Sequence, residues 1–150
     1  IISRCQVVNT GSVITKDYDG LENSEFESLF SNLMRSAFQA NKNPKSLAEL
    51  VNWSRDVGKM DKQDAQSFFK FSIELLRQAY LKNMEIEELV SFTPSTEFNF
   101  EAFSKFITQN NIEGLSSGFE NAIYESSRNI KLSMIATDIA FKTTKLIHGG

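Results

Sequence analysis

The stretch that decides the fold is Asp61–Lys82, DKQDAQSFFKFSIELLRQAYLK. Within it Ala65, Phe68, Phe69, Ser72, Leu75, Leu76 and Ala79 recur at the three- and four-residue steps of one helix face. Phe71 and Ile73 lie off this stripe. The helix is therefore expected to be contacted on more than one side, and these two residues are candidate interface positions.

The same periodicity extends in both directions. Upstream, a helix is expected to start at Ser46, with Glu49 three residues on, and to carry Leu47, Leu50, Val51 and Val57, with Gly58 as its stop. Before it, Phe26, Leu29, Phe30, Leu33, Met34, Ala37 and Phe38 form another stripe, and Ser24 with Glu27 reads as a capping box at its start. Downstream, Asn83 to Glu97 is less regular, and Thr93-Pro94-Ser95 breaks any helix there. A short helix then carries Phe100, Phe103, Phe106 and Ile107, and Asn110-Asn111 marks a turn. Ile112, Leu115, Phe119, Ala122 and Ile123 follow, then a long last helix with Leu132, Ile135, Ala136, Ile139, Ala140, Thr143 and Leu146. No hairpin dipeptide sits between alternating runs.

The expected fold is thus all-α, a helical bundle of about five to seven helices over residues 23–150. Residues 1–22 differ: Gln6-Val7-Val8 looks strand-like, and Asn9 to Gly20 is polar with two glycines. We read this segment as a strand end followed by an irregular connection. The chain begins without Met and is expected to be a piece of a longer polypeptide.

Composition narrows the function classes. Of the 150 residues 41% are apolar and 23% charged, which is ordinary for a globular fold, and thirteen phenylalanines can build a core. A net charge of −3 offers no overall basic surface for nucleic acid. The longest apolar runs fall far short of the ~20 residues needed to span a bilayer, and the start lacks the pattern of a signal peptide. A single cysteine, Cys5, allows no internal disulfide, which fits a cytoplasmic protein.

Motifs for chemistry are sparse. Neither a P-loop nor a G-x-G-x-x-G occurs, and no serine sits in a nucleophile elbow. Metal ions need clustered ligands, and the chain has one His, His148, and one Cys; His148 reads as a frayed terminal residue. Glu85, Glu87 and Glu88 read as a solvated acidic face. Tyr124, Arg128 and Asn129 cluster at a helix end, as capping and packing residues or as a partner contact. Trp53 lies off the main stripe of its helix, and either anchors an interface or closes the core from the side.

One short motif carries mechanism: Ser3-Arg4-Cys5, preceded by Ile1-Ile2 and followed by Gln6. It resembles the S-R-C motif of clamp-loader ATPase subunits. Further along, Phe30-Ser31-Asn32-Leu33-Met34-Arg35, Leu50-Val51-Asn52-Trp53-Ser54 and Phe68-Phe69-Lys70-Phe71 follow in that order. Leu76-Arg77-Gln78-Ala79, Leu81-Lys82-Asn83, Asn121-Ala122-Ile123-Tyr124, Arg128-Asn129 and Asp138 come after them. The order is similar to the C-terminal region of DNA polymerase III clamp-loader subunits of the delta-prime type, Bacteroidetes-like, over residues 24–147.

The resemblance implies a helical collar domain that packs beside those of the other clamp-loader subunits, in an AAA+ assembly that loads the sliding clamp on primed DNA. It implies no reaction and no cofactor in this chain, ATP being bound by neighbouring subunits. Arg4 would act in trans on that ATP, where a guanidinium's planar fork suits the developing charge of a transferred phosphoryl group. The family places a helical lid between the S-R-C strand and the collar, whereas only 18 residues separate Cys5 from Ser24 here. An unrelated helical adaptor or interaction domain would use the same amphipathic helices and treat Ser3-Arg4-Cys5 as coincidence. An enzyme with a diffuse Glu, Tyr and Arg site leaves no pocket signal in the sequence.

Overall fold

The structure, a computed structural model, describes residues 20–40, 42–94, 96 and 98–149. Among them are helices α1 (Gly20–Gln39), α2 (Pro44–Gly58), α3 (Lys62–Asn83), α4 (Phe100–Ser104), α5 (Ile112–Ser127) and α6 (Leu132–Gly149), a short 3-10 turn at Glu87–Leu89 and no strand. The expected all-α bundle is what forms. No described helix is long and apolar enough to cross a membrane. The expected strand at Gln6–Val8 lies outside the described residues.

Local chemistry sets the helix ends, and it corrects two expected boundaries. Helix α1 begins at Gly20, so Ser24 and Glu27 lie inside it and form no capping box. Glu27 is instead fully buried, and its carboxylate accepts hydrogen bonds from the Thr96 backbone N–H, at 2.9 Å, and from the Thr96 hydroxyl. A carboxylate withdrawn from water needs such donors. Helix α2 starts at Pro44 rather than Ser46 because Asn43 caps it: the Asn43 Oδ1 accepts from the Lys45 N–H at 3.0 Å, and Pro44 takes the first turn, where no N–H is needed. Gly58 ends α2 without a left-handed turn, since none of the described glycines has a positive φ. Its role is proximity. A Cβ built there would lie 2.8 Å from the Ser133 Cβ and 3.1 Å from the Ser133 Cα. Helix α3 starts as expected, with the Asp61 carboxylate accepting from the Gln63 N–H at 3.1 Å.

Helix α3 is the spine of one half of the bundle. It packs on α5, α4 and α1, which satisfies the expectation of contact on more than one side. Phe68 and Phe69 meet Phe119 of α5 at ring distances of 6.5 and 6.3 Å, and Phe26 of α1 meets both Phe68 and Phe71 at 5.8 Å. In the other half, α6 packs along α2, α5 and α1. Gly114 on α5 gives the Leu146 side chain room; a Cβ there would sit 3.0 Å from its Cδ1. The aromatic core continues through Phe30, whose ring meets Phe103 edge-on at 5.3 Å and Phe98 at 6.2 Å.

Polar side chains fasten the connection between α3 and α4. The buried Gln78 amide donates to Glu74 at 2.9 Å and accepts from the backbone N–H groups of Ser91 and Phe92, at 2.8 and 3.3 Å. Asn83 donates to the Ile107 carbonyl at 2.7 Å. The buried Asn111 donates to the Phe106 carbonyl at 2.8 Å and accepts from the Thr108 N–H at 2.9 Å, which fixes the turn before α5.

Candidate functional site

The faces of α2 and α6 that point away from the core flank a surface cleft of about 780 Å³. Helix periodicity sets its walls. On α2, Leu50, Trp53 and Val57 turn inward, which leaves Leu47 and Val51 outward one turn apart. On α6, Ile135, Ala136, Ile139 and Ala140 turn inward, which leaves Met134 and Phe141 outward, 64% and 48% exposed. Val51, Met134, Phe141 and Ile130, in the link after α5, line the cleft over Ile135. Arg55, Glu125 and Asp138 supply its charges.

Glu125, Ile130 and Asp138 also border a neighbouring, more polar cleft of about 550 Å³ formed with Asn121, Tyr124, Arg128 and Lys142. Here Arg128 donates to the Tyr124 hydroxyl at 2.6 Å and its guanidinium lies 5.5 Å from the centre of the Tyr124 ring. Asn129 adopts a left-handed φ of 65° just past the helix end, and its side-chain oxygen accepts from Lys62 at 3.1 Å. Capping and packing thus hold the Tyr124, Arg128 and Asn129 cluster together, while the Tyr124 ring stays outward.

The interface positions expected from sequence go elsewhere. Trp53 is only 4% exposed; its indole N–H donates to the Leu29 carbonyl at 2.9 Å and its ring meets Phe68 at 6.2 Å. It closes the core from the side, one of its two expected roles. Phe71 is buried, so α3 does not present it as a docking surface, and Ile73 is half-buried against the core. Phe71 is covered because α1 packs on that side of α3 and brings Phe26 against its ring. Exposed apolar side chains occur on several elements, and those that line the larger cleft stand on α2, α6 and the link before α6, where Met134 and Phe141 lie off the stripe of the last helix. That off-stripe position was the signal available in the sequence.

His148 is also corrected. It is joined to α1 rather than frayed: its Nε2 lies 2.9 Å from the Ala37 carbonyl oxygen and its ring is 6.2 Å from that of Phe38. Glu85 and Glu88 are exposed. Arg4, with Ser3 and Cys5, lies outside the described residues. Among the described residues, no three His, Cys, Asp or Glu side chains form a metal-binding group. Comparisons of the chain with protein-family models, curated proteins and solved structures found no match.

Proposed function

We propose that this chain is an assembly domain that docks on other protein subunits through the α2–α6 face, and that it is the collar-type domain of a DNA polymerase III clamp-loader subunit. One observation carries the docking reading. Of the exposed large apolar side chains, Val51, Ile130, Met134 and Phe141 line this one cleft, and Leu47 is exposed one turn before Val51 on α2. A contiguous apolar patch with a charged border is what a protein partner covers. The collar reading rests on the order of the sequence motifs, and an all-α bundle is the architecture that it requires. In that role the chain carries no reaction. It binds sister clamp-loader subunits in the cytoplasm, reaches the sliding clamp and primed DNA through the whole assembly, and leaves ATP to neighbouring subunits, with Arg4 as the residue that touches a neighbour's nucleotide.

The test is co-expression of the chain with the other clamp-loader subunits of its source, followed by size-exclusion chromatography. The chain is expected to elute with them, and Met134→Asp combined with Phe141→Ser is expected to release it while leaving its own circular dichroism unchanged. Elution of the wild-type chain by itself would overturn the collar reading and leave a helical adaptor of another system. Retention of the double variant in the complex would move docking away from this face.

A further inference from the structure

A second concavity lies on other helices. Between α1 and α4, near the end of α6, a slot of about 290 Å³ is walled by Met34, Phe38, Phe98, Phe103, Phe106 and Ile147. Phe38 and Phe106 stand at its mouth, their rings 4.5 Å apart and edge-on. The volume is at the small end of the range for ligand pockets, room for a ring and a short chain but not for a helix.

Its electrostatics are one-sided. Arg35 is the single charged side chain among the described residues that line it, in a chain whose net charge is −3. One guanidinium nitrogen donates to the Asn32 side-chain oxygen at 3.3 Å, which leaves the rest of the fork for another acceptor. No carboxylate of the described residues forms an ion pair with Arg35. The other polar lining comes from Ser31 and Asn99. The Asn99 oxygen accepts from the Ala102 N–H at 3.0 Å and its amide keeps two N–H donors, while the Ser31 hydroxyl donates to the Ser28 carbonyl at 3.1 Å.

Apolar walls and one cation select an apolar body with a single negative charge. A guanidinium pairs with a carboxylate through two parallel hydrogen bonds. A phosphate would bring about two charges to one cation and leave part of its charge unmatched. We propose that this slot binds a small aryl or alkyl carboxylate, the apolar body between Phe38, Phe103 and Phe106 and the carboxylate on Arg35.

The test uses three probes of one shape on the isotope-labelled chain, read by backbone amide shifts: 4-phenylbutyrate, its uncharged amide and 4-phenylbutylamine. Shifts are expected at Met34–Phe38 and Ala102–Phe106, with the acid binding about three- to fivefold more tightly than the amide, the range of a solvent-exposed ion pair, and the amine binding weakest. Arg35→Gln is expected to abolish the preference for the acid without changing the fold, because Arg35 is exposed. Ala102→Trp, also at an exposed position, is expected to fill the slot and remove binding of all three. Equal binding of amine and acid, or no shift at these residues at millimolar probe, would overturn the proposal. Tighter binding of a short peptide ending in Phe with a free carboxylate would overturn the assignment to a small molecule.

Discussion

Replacing Gly58 by alanine sets two effects of known sign against each other. Within a helix, Gly→Ala ordinarily stabilises by about 0.5–1 kcal/mol, because it removes backbone freedom from the unfolded chain. At Gly58 the new methyl would stand 2.8 Å from the Ser133 Cβ, 3.1 Å from its Cα and 3.2 Å from its backbone nitrogen. Two of these are backbone atoms near the start of α6, so no rotamer change relieves them, and α2 and α6 must separate. Such overpacking costs about 1–3 kcal/mol. The net expectation is a loss of about 1–2 kcal/mol. With a urea slope of about 2 kcal/mol/M, that lowers the unfolding midpoint by roughly 0.5–1 M. Urea titration followed by circular dichroism measures this directly. Ser133→Gly removes the nearest atom and leaves the Cα and nitrogen, so in the double variant it should restore part of the loss, a coupling that a double-mutant cycle reads. A Gly58→Ala chain at least as stable as the wild type would refute the close approach of α2 and α6.

Two further substitutions probe other parts of the core. Phe30→Ala empties a fully buried site between Phe98 and Phe103 and is expected to cost about 3–5 kcal/mol; a melting temperature within a degree of the wild type would contradict its central place. Glu27→Leu leaves the Thr96 N–H and hydroxyl without their carboxylate, at about 1–3 kcal/mol, and should speed hydrogen exchange at the Thr96 amide while α5 amides keep their protection. Unchanged exchange at Thr96 would show that another acceptor holds this connection.

The fold was legible because Phe68, Phe69, Leu75 and Leu76 repeat at helical spacing, and all four are buried where that spacing puts them. Helix ends were less so. Ser24 and Glu27 match a capping pattern, but Glu27 serves Thr96, a residue 69 positions away, and local sequence carries no trace of that contact. Asn43 and Pro44 set the start of α2 two residues before the Ser46 expected from its spacing to Glu49. The candidate docking face was half legible. Off-stripe apolar residues occur on both α3 and α6, but only the packing of the bundle determines which are covered. Phe71 meets Phe26, whereas Met134 meets solvent. The slot at Arg35 combines α1 and the residues from Phe98 to Phe106, so it exists only after the chain has folded back on itself.

The position of α6 also bears on how the protein is made. Helix α2 finds its most extensive partner in α6, about 70 residues later in the chain, with α3, α4 and α5 between them. At roughly 5–20 residues per second, a ribosome needs about 4 to 15 s to make that interval. Throughout it, the side of α2 that receives α6 has no cover. Slow codons placed between α2 and α6 would lengthen that exposure.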